Sequence, residues 1–293
     1  MLNLSPVPTL PLVTIVTPSF GQGDFISAAI DSVLAQDYPR IEYLVVDGGS
    51  TDATIDVLRS YGDRVRWTSG PDAGQADAIH RGFLAASGQY LGWLNADDRY
   101  LPGAISAAVR ELESDPAAAL VYGTAEFIDR DGGVTGPCLQ VEPWSLDRLL
   151  EALDFVVQPA TFFRRDAYLA VGGLDPTLHY CLDYDLWIRL GRFFPVRFLP
   201  RMLAQVRVHD ETKTATGGLP RLEEIERMIR RNGGPGLPSY FRREMDLELR
   251  GAFVLASRNR QLARAARLAM RATPYVARAA MRKLRRLHAP GRD

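Results

Sequence analysis

Residues 90–98, with the sequence YLGWLNADD, decide the fold of this chain. Residues 90–94 are a short, almost wholly apolar run of the kind that forms a buried strand, and the polar residues 95–98 follow directly. Pro102 then opens a helical segment, a favoured position for proline. The stretch therefore predicts a buried strand whose carboxyl end carries a cluster of polar side chains.

The same arrangement occurs twice upstream of this stretch. Residues 12–17 (LVTIVT) and 41–46 (IEYLVV) are strand-like runs, which end in Thr17-Pro18-Ser19 and in Asp47-Gly48-Gly49-Ser50. Apolar residues at helical spacing fill the intervals between the strands. Alternating strands and helices predict a parallel sheet covered on both faces, in which ligands bind beyond the carboxyl ends of the strands. We therefore expect the three polar motifs to form one site.

The second half of the chain is less regular. Its predicted elements are strands at residues 120–128 and 203–208, a hairpin turn at residues 131–133, and helices at residues 165–171, at residues 183–193 and beyond residue 218. His209 follows the last predicted strand. These elements predict that the sheet continues and that a helical region follows it.

Composition limits the class of protein. The chain has 293 residues and 46% hydrophobic content, which suits a globular protein with one sizeable core. Two cysteines make no disulfide framework and favour a reducing compartment. The N-terminal residues lack the basic region of a signal peptide, and no apolar run reaches about 18 residues. We expect a cytoplasmic protein.

The C-terminal tail is strongly basic. Residues 251–293 contain eleven Arg or Lys and a single acid, although the formal net charge of the whole chain is zero. Residues 262–269 and 276–287 mix apolar residues with arginine, which suits a helix lying on an anionic membrane surface. Packing as a helical cap with solvated arginines is an equal alternative. Nucleic-acid binding is least favoured, because apart from Tyr275 no aromatic residues are interleaved with the basic residues of these segments.

Asp97 and Asp98 point to a cation site. Adjacent carboxylates at a strand end repel each other unless a cation lies beside them, and Mg²⁺ or Mn²⁺ prefers oxygen ligands shared with phosphates. Because strand side chains alternate between faces, one carboxylate would hold the ion and the other a ribose hydroxyl or a water. The alternative is a solvated acidic turn.

Several further segments occur in order along residues 12–215. They are residues 14–20 (TIVTPSF), 32–36 (SVLAQ), 45–52 (VVDGGSTD), 72–75 (DAGQ) with 81–82 (RG), 92–98 (GWLNADD) and 183–189 (DYDLWIR). In this order and spacing the sequence resembles the family-2, inverting glycosyltransferases of the GT-A fold. The resemblance implies an α/β, Rossmann-like, mostly parallel central sheet flanked by helices. It places a nucleotide-sugar-binding and catalytic domain at residues 1–215 and a helical, basic region at residues 216–293.

The resemblance also implies roles for individual residues. Asp183 matches the catalytic base, which takes the proton of the acceptor hydroxyl as that oxygen attacks the anomeric carbon. Asp98 matches the metal-binding aspartate, with His209 beside it and Mn²⁺ or Mg²⁺ as the ion. The donor-binding residues would be Thr17, Pro18, Ser19, Asp47, Gly48, Asp72, Gln75, Arg81, Asn95 and Asp97. Gln158 and Thr161 would line the acceptor side, and Lys213 would touch a phosphate.

The implied activity is transfer of a sugar from a nucleotide diphosphate sugar to a hydroxyl acceptor. A lipid-linked saccharide is one candidate acceptor, and bacterial surface polysaccharide or glycolipid synthesis is the expected setting. A basic tail on an anionic surface would hold the cytoplasmic protein peripherally on the inner face of the membrane. No nucleic-acid partner is expected.

Each assignment has a structural alternative. Asp183 can be an acid that stabilises a helix N-terminus, and Gly48-Gly49 can be a simple tight turn. His209 can be structural, the donor contacts can be surface residues, and Gln158 and Thr161 can serve packing. Asp185 and Arg189 lie four residues apart, and we interpret them as a structural ion pair.

Three positions depart from the pattern that many family members share. Gly48 stands where a second acid is common, Asn95 where Asp is common, and Leu182 where Glu precedes the catalytic Asp. Two other functions stay open at this point. A nucleotidyltransferase would have Arg or Lys in the loop after the first strand, where residues 17–23 (TPSFGQG) have neither. A non-catalytic nucleotide-sugar binder would not need Asp98 and Asp183.

Overall fold

The computed structural model describes residues 10–258 and Arg271. These residues divide into two compact units. Residues 10–146 and 154–212 form the first unit, and residues 147–153, 213–258 and Arg271 form the second. The first unit contains the whole described sheet and the residues predicted for catalysis and for metal binding.

Nine strands form one sheet in the described part of the chain. They are β1 (Val13–Ser19), β2 (Ile41–Asp47), β3 (Arg66–Ser69), β4 (Tyr90–Trp93), β5 (Arg99–Tyr100), β6 (Leu120–Ile128), β7 (Val134–Pro137), β8 (Thr161–Arg164) and β9 (Val196–Arg207).

The described α-helices alternate with these strands in the N-terminal half and follow them at the end. They are α1 (Ile26–Leu34), α2 (Thr54–Ser60), α3 (Gln75–Ala85), α4 (Ala104–Ser114), α5 (Leu146–Glu151), α6 (Arg165–Ala170), α7 (Leu182–Phe193), α8 (Lys213–Thr216), α9 (Gly218–Arg231) and α10 (Phe241–Arg258). Short 3₁₀ turns lie at Gly62–Arg64 and Gln158–Ala160.

The N-terminal half of the sheet is parallel, as the sequence predicts. β3, β2, β1 and β4 lie side by side in that order and run in the same direction. Ser19 is paired with Asp47 at the ends of β1 and β2, where Gly48 N donates to Ser19 O at 2.8 Å. Beyond β4, Leu94 N donates to Val16 O at 3.0 Å. The three polar motifs therefore lie at one edge of the sheet.

The other half of the sheet is mixed. β8 lies between β4 and β6 and is antiparallel to both, β9 is parallel to β6, and β5 is antiparallel to β9. β7 forms the predicted hairpin with β6. The α/β class is confirmed, but the sequence analysis did not foresee the antiparallel strands β5 and β8, because runs of two and four residues carry little periodicity.

Side chains from both halves of the sheet pack together in one cluster of the hydrophobic core of the first unit. Ile15 of β1, Ile30 of α1, Ile105 of α4 and Phe162 of β8 are almost completely buried in it. Complete burial of such side chains stabilises a fold by about 1.5–3 kcal/mol each. This core supports the sheet edge that carries the polar motifs.

Helix α3 packs unusually close to β1. A Cβ on Gly82 would lie 2.5 Å from Val16 Cγ1, so only glycine allows this approach. The close packing also determines where the first residue of α3, Gln75, stands relative to the strand ends. Gly74 ahead of it has φ +114°, a conformation that favours glycine, and it starts the helix at that point.

The described residues of the second unit form helices α8, α9 and α10 and most of α5. Leu222 and Ile225 of α9 and Met245 and Leu249 of α10 are buried. Arg221 pairs with Glu244. The basic segments at residues 262–269 and 276–287 lie outside the described residues. Within residues 10–258 and Arg271, none of the helices combines the length and the apolar character that a membrane crossing requires.

Candidate active site

The turn after β2 is organised by Asp47. This carboxylate is buried and accepts hydrogen bonds from Gly49 N at 3.0 Å, Ser50 N at 2.9 Å and Ser69 Oγ at 2.7 Å. Gly49 adopts φ +90°, which glycine tolerates best. The turn is therefore a rigid platform, and its exposed groups are backbone atoms rather than the Asp47 carboxylate.

The end of β1 presents one hydroxyl without a partner. Thr17, Pro18 and Ser19 are all buried, and the Thr17 hydroxyl shares a hydrogen bond of 3.1 Å with Tyr43. The Ser19 Oγ atom has no hydrogen-bond partner within the part of the chain that the structure describes. Phe20, the next residue, is 69% exposed. A buried hydroxyl and an exposed aromatic ring thus stand together at the sheet edge.

Asp72 fills the space beside Gly48. A Cβ on Gly48 would lie only 2.8 Å from Asp72 Oδ2, while Asp72 Oδ1 accepts a hydrogen bond from Gly74 N at 2.8 Å. The family position that many members fill with an acid is therefore occupied here by a carboxylate from another loop. Arg81 pairs with Asp77 at 2.6 Å, and its guanidinium also donates to Pro71 O at 3.4 Å.

A cavity of about 330 Å³ lies between β2, β3 and α3. Asp47 and Arg81, two of the predicted donor residues, line it together with Trp67. The cavity opens beside the Asp47 turn.

Asn95 joins two other predicted residues. Gln75 Nε2 donates to Asn95 Oδ1 at 2.9 Å, and Asn95 Nδ2 donates to Gln158 Oε1 at 3.0 Å. Gln158 also donates to Trp93 O at 2.7 Å, and Thr161 Oγ1 donates to Gln158 O at 2.6 Å. The structure therefore joins residues predicted for the donor side and for the acceptor side in one network. Within it their polar atoms form hydrogen bonds with one another.

Asp98 is the buried member of the acidic pair. It is 3% exposed, and its carboxylate accepts hydrogen bonds from Arg207 N at 3.0 Å and from Asn95 Nδ2 at 3.1 Å. Burial, and then the negative charge of Asp97, raise the pKa of Asp98 well above its usual range. Both oxygens of Asp98 thus point at groups of the protein.

Asp97 is the accessible member of the pair. Its Oδ2 atom lies 3.4 Å from His209 Nε2, and the imidazole is 7% exposed. The other ring nitrogen, Nδ1, has no hydrogen-bond partner among the described residues. The imidazole packs against the ring of Phe25 with centroids 5.0 Å apart. The sequence analysis predicted both Asp97 and His209 for this region, and the structure brings them together.

Arg207 connects the acidic turn, Asp97–Asp98, to the segment after β6 through hydrogen bonds. Its guanidinium donates to Asp97 O at 2.9 Å, to Asp129 O at 2.8 Å and to Arg130 O at 2.7 Å. It also lies 5.1 Å from the Phe25 ring centroid, a cation–π contact. The sequence analysis missed Arg207, although its position two residues before His209 was a usable signal.

Asp183 lies in the first turn of α7 and is half-buried, and its Oδ1 accepts a hydrogen bond from Tyr184 N at 2.8 Å. Next to it in space is Asp154, whose pKa is raised well above its usual range by burial and then by the negative charge of Asp183. The sequence analysis missed Asp154, which nothing in its local sequence distinguishes. The predicted Asp185–Arg189 ion pair is present at 2.8 Å and Asp185 is buried, as expected for a structural pair.

The donor set at the acidic turn fits a divalent cation that shares its ligands with a diphosphate. Among the described residues no three His, Cys, Asp or Glu side chains cluster closely enough to hold an ion alone. Asp97 would supply a carboxylate to such an ion and His209 an imidazole. Mg²⁺ and similar ions are commonly bound by one or two carboxylates with substrate phosphates and water completing the shell.

Comparison with known proteins agrees with this geometry. The profile described as Glycosyl transferase family 2 matches residues 14–169. An uncharacterized glycosyltransferase of Rickettsia typhi is 33% identical over 227 residues, which are 74% of this chain and 70% of that protein. A chondroitin synthase of Pasteurella multocida is 27% identical over 205 residues, which are 69% of this chain and 21% of that protein.

Two solved structures share the fold. Staphylococcus aureus TarS 1–349 in complex with UDP-GlcNAc has a TM-score of 0.63 at 12% identity, over 82% of this chain and 71% of that one. The mannosyltransferase PcManGT of Pyrobaculum calidifontis, in complex with GDP-Man and Mn²⁺, has a TM-score of 0.61 at 19% identity, over 97% and 82%. The predicted GT-A-type fold is confirmed. With a family profile covering more than half of its length, the chain belongs to glycosyl transferase family 2.

Proposed function

We propose that this chain is an inverting glycosyltransferase that uses a nucleotide diphosphate sugar and a hydroxyl acceptor. The observation that carries the proposal is the meeting of Asp97 and His209 beside the ends of parallel strands, in a chain that belongs to a glycosyltransferase family. Because this family transfers sugars, we set aside nucleotidyl transfer and non-catalytic binding.

The donor would bind along the edge formed by the ends of β1, β2 and β4. Ser19 Oγ is a buried hydroxyl that a ligand oxygen could satisfy, and Phe20 offers an exposed aromatic face to a base. Asp72 beside Gly48 offers a carboxylate to a base or ribose. TarS binds UDP-GlcNAc and PcManGT binds GDP-Man, so we propose the nucleotide diphosphate class and leave the base open.

We propose that Asp97 and His209 hold Mn²⁺ or Mg²⁺ together with the donor diphosphate. The sequence analysis assigned the ion to Asp98, which stays a prediction. Two observations favour Asp97: its carboxylate is more accessible, and it lies beside His209, whereas both Asp98 oxygens already accept hydrogen bonds. A bound ion would act as a Lewis acid on the diphosphate leaving group.

Asp183 is the proposed base. At the start of α7 its carboxylate is partly accessible, and one of its oxygens is oriented by Tyr184 N. It would accept the proton of the acceptor hydroxyl as that oxygen forms the bond to the anomeric carbon and the bond to the diphosphate breaks. A single displacement of this kind inverts the anomeric configuration and needs no covalent nucleophile.

The acceptor, the biological setting and the functions of the two regions of the chain are also proposals. We place catalysis in residues 1–215 and propose that the basic region at 216–293 meets an anionic membrane that presents a lipid-linked saccharide. The relatives named chondroitin synthase and hyaluronan synthase support a role in polysaccharide synthesis. The cytoplasmic face of the membrane is the location that fits these proposals.

The test is a donor screen with the purified chain. UDP- and GDP-sugars, with and without MnCl₂, are measured by thermal shift, and the product of the stabilising donor is examined by ¹H NMR. We expect metal-dependent stabilisation by one nucleotide class and a product with the opposite anomeric configuration from the donor. Retention of configuration would overturn the single-displacement mechanism. A thermal shift by the donor that is the same with and without Mn²⁺ would overturn the metal site.

A further inference from the structure

The amide of Asn95 uses every hydrogen-bonding position that it has. Its oxygen accepts from Trp93 Nε1 at 2.8 Å and Gln75 Nε2 at 2.9 Å, and its nitrogen donates to Asp98 Oδ2 at 3.1 Å and Gln158 Oε1 at 3.0 Å. A carboxamide offers two donors and two acceptor positions, so this side chain is saturated by the protein.

Chemistry fixes the orientation of this amide. An indole N–H can only donate, so the Asn95 atom that faces Trp93 Nε1 must be the oxygen. The atom that faces the Asp98 carboxylate is then the NH₂ group, which can donate to it. The flipped amide would lose both bonds.

A carboxylate at position 95 could not replace this amide. Its second oxygen would stand 3.1 Å from Asp98 Oδ2 and 3.0 Å from Gln158 Oε1, two atoms that accept hydrogen bonds. Asp98 is buried, so water would screen the repulsion poorly. The departure from the common family residue, Asp, is therefore a requirement of this particular network.

The network joins three parts of the site. Gln75 begins α3 on the donor side, Gln158 lies in the 3₁₀ turn before β8 on the acceptor side, and Asp98 belongs to the acidic turn. Asp98 in turn receives Arg207 N from the end of β9, two residues before His209. Hydrogen bonds thus connect Asn95 through Asp98 to the strand end that leads to His209.

We propose that Asn95 is a positioning residue, whose neutral amide holds the Asp97–Asp98 turn in register with α3 and the turn before β8. This inference rests on the proposed function, because it assigns Asn95 a role in arranging the donor and ion site rather than in contacting the donor. It predicts that what matters is the complementarity of residues 95 and 98, one amide facing one carboxylate.

A double-mutant cycle tests this complementarity. N95D places two carboxylates opposite each other, D98N places two amide nitrogens opposite each other, and N95D/D98N restores one amide and one carboxylate with the total charge unchanged. We expect kcat to fall about 100-fold in N95D, the upper range for a residue that orients ligands from behind, and to recover at least about tenfold in the swap. The KM for the donor should change far less than kcat.

A second measurement does not depend on turnover. The rise in Tm caused by Mn²⁺ with UDP or GDP should be lost in N95D and regained in N95D/D98N. If N95D does not fold, judged by circular dichroism, N95A takes its place and should lower kcat about tenfold, since it removes the bonds without adding repulsion. N232D is the matched control, a buried Asn of the second unit, and should leave kcat of the folded protein unchanged.

The possible outcomes distinguish a failure of the proposed function from a failure of the positioning role of Asn95. A wild-type chain that transfers from no donor contradicts the proposed function, whereas the Mn²⁺ response of the cycle still tests the network. Wild-type behaviour of N95D, or a swap no better than N95D in both measurements, overturns the positioning role.

Discussion

Two pairs of aspartates lie in the first unit, and they differ in how the chain brings their members together. Asp97 and Asp98 are adjacent in sequence after β4, whereas Asp154 and Asp183 come from separate segments. In each pair the pKa of one member, Asp98 or Asp154, is raised by burial and by the negative charge of the other. The members proposed to meet substrate or ion, Asp97 and Asp183, are their partners.

The pairs also differ in how the buried member is stabilised. Asp98 accepts hydrogen bonds from a backbone amide and a side-chain amide, while Asp154 accepts one from Val156 N at 3.2 Å. The pKa of both buried carboxyl groups is raised, but Asp98 is held by hydrogen bonds from its own turn and from the end of β9, whereas the Asp154 bond comes from its own segment. This difference predicts that the first pair responds to a cation and the second to pH.

The largest expected effect is at Asp183. D183N keeps the shape but cannot take a proton, so kcat should fall about 10²–10⁴-fold while the donor still binds. D166N is a matched control, because Asp166 also stands in the first turn of a helix and its Oδ1 accepts the next backbone amide at 2.8 Å. Steady-state kinetics and donor titration check both variants. Turnover of D183N equal to that of D166N would remove Asp183 from the mechanism.

The next effect separates the two members of the first pair. D97N should lose the Mn²⁺-dependent rise in Tm with a nucleotide diphosphate, because a carboxamide is a poor ligand for such an ion. D98N should retain the response at higher Mn²⁺ concentration, since it disturbs only the support beneath Asp97. A Mn²⁺ titration by thermal shift decides between them. The reverse order would return the ion to Asp98, as the sequence alone suggests.

The first pair also shows what a sequence can predict. Adjacent acids after an apolar strand are visible in one dimension, and the parallel strands β1, β2 and β4 place their ends together by topology alone. The α/β class, the parallel half of the sheet and α7 followed from such patterns. The reason to propose Asp97 rather than Asp98 did not, because it includes the hydrogen bond from Arg207 N, which comes from β9, 109 residues later in the sequence.

The second pair, Asp154 and Asp183, shows what cannot be predicted from a sequence alone. Asp154 and Asp183 are 29 residues apart in sequence, and the chain between them includes β8, a four-residue antiparallel strand with little periodicity that lies between β4 and β6. That the Ser19 hydroxyl has no partner among the described residues is likewise a property of three-dimensional packing. The exposed ring of Phe20, in contrast, lies beside a predicted motif and could have been included in the prediction.

A smaller effect is expected where the donor edge is tightly packed. In G48A the new Cβ would lie 2.8 Å from Asp72 Oδ2 and displace that carboxylate, at a cost of about 1–3 kcal/mol. If Asp72 contacts the donor, affinity should fall about tenfold or more, measured by calorimetry. G70A is the control, because a Cβ at Gly70 meets nothing within 4 Å. Equal affinities of the two variants would contradict a donor role for Asp72.

The smallest effect concerns pH and the second pair. Burial and Asp183 raise the pKa of Asp154, so the folded protein holds a proton that the unfolded chain releases above about pH 4, the ordinary range for Asp. Stability is therefore unaffected by this group below about pH 4 and falls as pH rises from there toward the folded-state pKa. D154N removes the ionisation while its oxygen can still accept from Val156 N.

D154N should consequently have a higher Tm than the wild type at pH 7, and the difference should vanish as pH falls toward about 4. Thermal unfolding across this range measures it, with D166N as the control that should show no such pH-dependent gain. A D154N advantage that persists unchanged at low pH would mean that the gain comes from packing rather than from charge. Such a result would contradict the expectation that ionisation of Asp154 destabilises the folded protein as pH rises.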